Sequence, residues 1–291
     1  MNFLKASILK FVFFLVGNLP FPILYLLSDF LSFLIQDVFK YRVQLVEKNL
    51  RLSNLKLNEK EIINIRKKFY RHFCDLALEM IKLDHMSENQ IKKRFTINNN
   101  ELTDKYLSQG KSVILMLSHY GGYEWCVALD YYLKHKICAV YTPLKDKTFE
   151  KVVFDSRTKH NLNLIPRYSA INDIINLETS NKRFLYGLVA DQSPQIRSKN
   201  YWSKFLGIKV PVFTGSERLA KKLDLPVVFG KMTKPRRGRY EMNIELIADK
   251  PNDYDDFEIT EKYLKLVEGQ IKENPIYYLW THNRFKHRKT N

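Results

Sequence analysis

The chain is 291 residues long and carries 48 Lys+Arg against 31 Asp+Glu, a formal charge of +17. Hydrophobic residues at 45% and aromatics at 13% exclude a disordered polycation, and a mean hydropathy of −0.33 excludes a polytopic membrane protein. What remains is a chain able to bury a sizeable core, with an excess of positive charge suited to nucleic acid, an anionic membrane surface, or an acidic protein or substrate.

The amino terminus differs from the rest. Residues 11–35 hold Asp29 as their sole charge, with Lys5 and Lys10 before them and Lys40, Arg42, Lys48 and Arg51 after. Pro20 and Pro22 divide the stretch into two helices, because each lacks a backbone donor and clashes with the preceding turn. The first, about Phe3 to Val16, is short for a span of roughly 20 residues. No small-x-small cleavage site follows it, which argues against a removed signal peptide. In the second, Ser28, Ser32 and Gln36 recur at i, i+4 and i+8 beside Asp29, a polar stripe expected of a helix lying in a membrane interface. Residues 1–36 are therefore read as a membrane-anchoring segment, spanning or interfacial, with two ordinary core helices as the plainer alternative.

A soluble pattern follows. Asn58 and Glu61 stand as a capping box, and Ile62, Ile65, Phe69, Phe73, Leu76 and Met80 mark one apolar helix face to about Lys82. Val113–Leu117 is a continuous apolar run suited to a strand buried on both faces. Helices are predicted at 124–134, 147–160, 170–178 and 214–223, and strands at 137–141, 163–165 and 184–190. Segments 226–233 and 239–248 flank a turn at Pro235–Gly238, and a helix at about 258–273 precedes an aromatic-basic tail. Alternating strands and helices imply crossover units, so residues 37–291 are expected to form one α/β domain: a mostly parallel sheet with helices on both faces. Cys74, Cys126 and Cys138 include no CxxC pair and suggest neither a disulfide framework nor a metal site. Their apolar surroundings fit buried, reduced thiols facing the cytoplasm.

In open α/β sheets, sites form outside the carboxyl ends of the strands. The first such end here reads Ser118-His119-Tyr120-Gly121-Gly122-Tyr123-Glu124-Trp125. As a bare pattern, a histidine with an acid five positions on arises about once by chance in a chain of this make-up; here only His119 has one. A turn through Gly121 and Gly122 allows Glu124, in the first turn of the next helix, to bend back towards the imidazole. A carboxylate on Nδ1–H fixes the ring's tautomer and leaves Nε2 to accept a proton from an acceptor hydroxyl, which then attacks a thioester carbonyl. The competing interpretation is a buried histidine bonded to backbone and an unrelated surface glutamate.

The residues carry a family resemblance at this point. LSHYGGYEW is similar to the His-x4-Asp/Glu motif of the glycerolipid and lysophospholipid acyltransferase superfamily, and more narrowly to the lauroyl/myristoyl transferases that act late in lipid A biosynthesis. VYTPLKDKTFEKVVFDSR (140–157), VADQSP (189–194), FTGSERLAKKLDLPVV (213–228) and YYLWTHNRFKHR (277–288) resemble further segments of that family in the same order, so the likeness covers nearly the whole chain. It implies an O-acyltransferase on the cytoplasmic face of the inner membrane. The acyl donor would be an acyl carrier protein thioester, with acyl-CoA as the alternative donor, and no other cofactor. The acceptor would be a lipid A precursor, or else a lysophospholipid or aminolipid. His119 would be the general base and Glu124 its orienting carboxylate; Arg157 would bind the acceptor's phosphate or support the reaction. Asp191 and Gln192, at the end of their strand and facing the same cleft as His119, would position substrate or the active-site loop, with a structural cap as the alternative. Two departures bear on the acceptor: Thr142 stands where the family often has Arg or Lys, and Asn283 replaces one of a pair of arginines.

Two readings of other classes compete. The tail Tyr277–Lys289 interleaves aromatics and bases, as stacking surfaces for single-stranded nucleic acid do, and equally as interfacial membrane anchors do. A nucleic-acid binder has little use for the apolar first 35 residues, however, so nucleic acid is not expected as a partner. An inactive membrane scaffold would not need His119 and Glu124 together.

Overall fold

A computed structural model describes residues 3–198 and 200–289; residues 1, 2, 199, 290 and 291 of the two expected segments lie outside the described residues. In chain order the elements are α1 (Phe3–Asn18), α2 (Phe21–Phe33, continued by a π-helical turn Leu34–Val38), α3 (Val43–Leu52), α4 (Glu59–Leu83), α5 (Glu88–Lys92), β1 (Phe95–Asn98), α6 (Glu101–Ser108) and β2 (Val113–Leu117). A 3-10 helix, Tyr123–Tyr131, stands where an α-helix was expected. Then come β3 (Lys136–Tyr141), α7 (Lys147–Thr158), β4 (Asn163–Pro166), α8 (Ala170–Glu178), β5 (Phe184–Val189), β6 (Tyr201–Phe205), β7 (Ile208–Val212), α9 (Gly215–Leu223), β8 (Val227–Arg236), β9 (Arg239–Ala248) and α10 (Glu258–Glu273).

Seven strands form one sheet in the order β1-β9-β8-β2-β5-β3-β4. All neighbours are parallel except β8 and β9, the hairpin foreseen around Pro235–Gly238. β2 lies in the middle with all five residues buried, as its unbroken apolar run requires. It pairs with β5 in the register Leu117↔Val189, which brings two strand ends, and the loops after them, side by side. A separate antiparallel ribbon, β6–β7, was not foreseen.

The predicted capping box is present: Asn58 Oδ1 accepts from Glu61 N–H and Glu61 Oε2 from Asn58 N–H. It starts the 25-residue α4, which carries α1 and α2 on its surface. The stripe on α2 faces the other way from the expectation of headgroup contact. Ser28 and Ser32 are buried, Ser28 Oγ donates to Asp75 on α4 at 2.7 Å, and Asp29 pairs with Arg71 and Arg237. A polar stripe on an apolar helix goes where partners are, and α4 supplies them. The opposite side of α2 is apolar and open, with Leu26 70% exposed and Ile23, Phe30 and Phe33 more than half exposed. The stretch Phe21–Val38 is long and apolar enough to cross a membrane by length and composition.

The aromatic-basic tail is also turned inward. Tyr278, Trp280, Arg284 and Phe285 are each at most 2% exposed, so the rings a nucleic-acid reading would stack on are core residues. The three cysteines are free thiols.

Candidate active site

The turn after β2 is shaped by its two glycines and held from two sides. Gly121 has φ +58°, and a Cβ on Gly122 would sit 2.5 Å from the Tyr240 ring, so neither position accepts a side chain without rearrangement. From the tail, Tyr277 O accepts from Gly121 N–H and His119 O accepts from Leu279 N–H, both at 3.0 Å. From α4, His72 Nε2 lies 3.1 Å from Gly121 O. Lys234 Nζ stands 3.0 Å from His72 Nδ1 and has only protons to offer, so the ring's own proton is on Nε2 and is donated to Gly121. Burial, then the charge of Lys234, keep His72 neutral.

His119 projects from this turn with 22% of its side chain exposed. The carboxylate on its Nδ1 is Asp191, at 2.8 Å, and not Glu124 as the local spacing suggested. The reason is the β2–β5 register, which sets Asp191, two residues past Val189, beside His119, two past Leu117. Asp191 is fully buried, and the same oxygen accepts from His119 N–H at 3.3 Å. Burial resists a charge on His119, but the Asp191 carboxylate and its hydrogen bond, with Glu124 adding, raise the imidazole above its ordinary pKa. On Asp191, burial pushes upward and the charge and hydrogen bond of His119 outweigh it, leaving the carboxyl below its ordinary value.

Glu124 is occupied elsewhere. Its two oxygens lie 3.3 and 3.1 Å from Arg157 Nη2, joining the 3-10 helix to α7 across the mouth of the site. Gln192 Nε2 is 3.3 Å from His119 Nε2, so in this state its amide donates to the lone pair that a substrate hydroxyl would use. The Tyr123 ring meets the imidazole edge-on, with centroids 5.2 Å apart. His119, Glu124, Arg157 and Gln192 thus share one cleft, with Asp191 directly behind the histidine.

The cleft opens a cavity of about 610 Å³ between β2, β3 and β5 on one side and α7 and α8 on the other. Beyond the polar mouth its walls are apolar, among them Leu129, Ile137, Leu164, Ile174 and Leu188, with Gly187 on the strand floor; Thr142 and Arg167 also line it. α7 meets α1 through an edge-on Phe13–Phe149 contact, so the cavity wall adjoins the amino-terminal helices. Among the described residues no group of three His, Cys, Asp or Glu side chains is arranged to hold a metal.

Sequence reasoning did not foresee the contributions of Tyr123, His72 and the tail. Ser193 N–H donates to His282 Nε2 and Ser193 Oγ to Arg284 O, fixing the loop that carries Asp191 and Gln192. Burial holds His282 down to about 4, so it serves as a neutral acceptor. Buried Arg284 is close enough to Asp191 for their charges to act on each other. The replaced arginine, Asn283, is the exposed neighbour. The signal for these residues was the tail motif itself, read as a surface rather than as a brace.

A half-buried histidine on a buried carboxylate, at the mouth of an apolar slot, is an arrangement able to take a proton from a hydroxyl held beside a long apolar chain. The family model described as bacterial lipid A biosynthesis acyltransferase matches residues 3–287, and the chain belongs to that family. It is an acyltransferase. No curated protein matches the sequence significantly. A similar solved structure is the 1-acyl-sn-glycerophosphate (LPA) acyltransferase PlsC from Thermotoga maritima, with 12% identity and a TM-score of 0.41 over 87% of this chain and 97% of that one.

Proposed function

We propose that the protein moves a fatty acyl chain from an acyl carrier protein thioester to a hydroxyl of a lipid A precursor at the cytoplasmic face of the inner membrane. His119 Nε2 accepts the hydroxyl proton as the oxygen attacks the thioester carbonyl, and the carrier's thiolate leaves and takes up a proton. Asp191 on Nδ1 takes the orienting role that local spacing had suggested for Glu124. Glu124 and Arg157 act at the mouth, where the guanidinium suits an acceptor phosphate. Gln192 holds the place of the incoming hydroxyl and gives way to it. The apolar cavity takes the acyl chain.

The observation that carries this reading is the Asp191–His119 pair opening onto that slot. The charge of +17 supports an acidic carrier and an anionic lipid surface as partners. Residues 1–36 serve as the anchor of the domain formed by residues 37–291. An interfacial seat is favoured over a span because α2 packs on α4, and inserting α2 would carry Lys67, Lys68 and Arg71 inward, at about 2.5–3.5 kcal/mol each at the bilayer centre.

The test is a panel of acceptors offered to the purified protein with an acyl carrier protein donor: a lipid A precursor, a lysophospholipid and an aminolipid. Fastest turnover on the lipid A precursor is expected; preference for either alternative would reassign the acceptor.

A further inference from the structure

The β8–β9 hairpin runs past the carboxyl edge of the sheet, and its tip lands against the start of α2. Gly238, with φ +69°, makes the landing close: a Cβ there would fall 1.8 Å from Tyr25 Oη. Of the tip's three arginines, Arg237 turns inward, reaching Asp29 and Asp75 at 2.6 Å each. Arg236 and Arg239 have no ion pair among the described residues.

Two further cations converge on the same corner. Arg94 donates to Gly238 O at 3.0 Å, and its guanidinium lies 3.3 Å from the centroid of the Phe21 ring. Lys82 Nζ sits 5.1 Å from that centroid and donates to the Gly17 and Leu19 carbonyls at the end of α1. Neither forms an ion pair among the described residues. The crowding is felt: after burial, Arg239 and Arg236 help to lower the pKa of Arg94 against the pull of Tyr25 and Glu79, and after burial Arg94 lowers that of Lys82. Glu79 supplies no direct partner, because its oxygens are taken by Tyr25, Trp125 and Tyr240.

Two cations over one aromatic ring, with the paired hairpin-tip arginines Arg236 and Arg239 close enough for their charges to act on Arg94, and with no ion pair to any of the four among the described residues, form a receptor for an anion, and planar guanidiniums match phosphate oxygens. The surroundings indicate the source of that phosphate. Ile23 and Leu26 on α2 and Phe14 and Leu15 on α1 are exposed apolar groups on the helices that form the corner. We propose that the corner formed by Lys82, Arg94, Arg236 and Arg239 binds the phosphate of an anionic phospholipid head group, separately from the substrate site at His119. The site rests on the proposed membrane seating of α1 and α2, and orients the cleft relative to the bilayer.

The full-length protein is sedimented with vesicles of phosphatidylcholine alone and of phosphatidylcholine with phosphatidylglycerol. Three forms are compared: wild type, Arg236→Ala/Arg239→Ala, and Lys222→Ala/Lys265→Ala, which removes the same formal charge from α9 and α10. The wild type prefers anionic vesicles. The arginine double variant loses about thirtyfold of that preference, at about fivefold per basic residue near the surface, while the lysine variant retains it. The arginine variant keeps wild-type turnover on detergent-dispersed substrate and an unchanged melting temperature. Equal losses in both variants would reduce the effect to net charge and overturn the site. Abolition of the preference by excess inorganic phosphate at constant ionic strength would assign the corner to free phosphate instead. Binding of the wild type to neither vesicle would remove the membrane seating, and this site with it.

Discussion

Asp191→Asn separates the carboxylate that touches His119 from the one that local spacing pointed to. The amide keeps the shape but removes the charge 2.8 Å from Nδ1. A hydrogen bond to a charged group contributes about 1.5–3 kcal/mol, so losing it from the protonated imidazole of the transition state slows turnover about 10- to 150-fold; a mispositioned tautomer enlarges the loss. The sign of the pH effect follows from the same contact. His119 is raised above its ordinary pKa, and the base works only when neutral, so activity falls as pH drops through that raised value. Removing Asp191 lowers the imidazole's proton affinity and moves the acid limb of kcat/KM to lower pH. Glu124→Gln should shift that limb much less and should mainly raise the KM for a phosphorylated acceptor, because Glu124 holds Arg157 rather than the ring. The assay is the initial rate of acyl transfer between pH 5 and 9, with melting temperatures as a control. An acid limb that moves more in Glu124→Gln than in Asp191→Asn would refute the assignment.

Further expectations concern the frame around the pair. His72→Leu removes the donor to Gly121 O and should lower kcat with little change in KM, whereas His72→Gln, which can donate and accept at the same positions, should restore most of it; equal loss in both would reduce His72 to a packing residue. Gly187 lies on the cavity floor with only ordinary contacts around an added Cβ, so Gly187→Val should fold and shift donor preference to shorter chains, by about fourfold for each methylene excluded. Burial pushes Cys74, Cys126 and Cys138 up to about 12, so none should react with a thiol reagent at pH 8 until the protein is denatured; fast labelling of the native protein would contradict their placement. Leu26→Ser with Phe30→Ser should weaken vesicle binding at least tenfold by removing apolar area from the open side of α2, and unchanged sedimentation would show that this side is not the docking surface.

Much of the architecture was legible because it is written in short-range periodicity. The apolar run at Val113–Leu117, the capping box at Asn58 and Glu61, and the alternation beyond residue 110 each gave an element where one stands. β1 and the β6–β7 ribbon escaped, since FTIN, YWSKF and IKVPV mix apolar with polar, charged or proline residues and hold no unbroken apolar run of the kind that marked β2. At the site, His119 could be found from its turn, and Asp191 was singled out from the end of its strand, though it lies fully buried behind the imidazole rather than on the cleft wall. The error lay in the pairing: the offset of five favoured Glu124, while the actual partner is set by strand order, which no local spacing encodes. Direction was the other weakness. The stripe on α2 and the rings of the tail have a polar or aromatic signature that suits a membrane interface as well as a protein interior, and only the neighbours, α4 for one and the His119 turn for the other, decide between them.

The central claim is that the His119 turn carries out acyl transfer to a lipid hydroxyl. Mass spectrometry of a lipid A precursor, incubated with acyl carrier protein donor and either the wild type or His119→Ala, tests it directly. The account predicts a product heavier by one ester-linked acyl chain with the wild type and none with the variant, whose melting temperature is unchanged. The same product from His119→Ala at a near wild-type rate would contradict it.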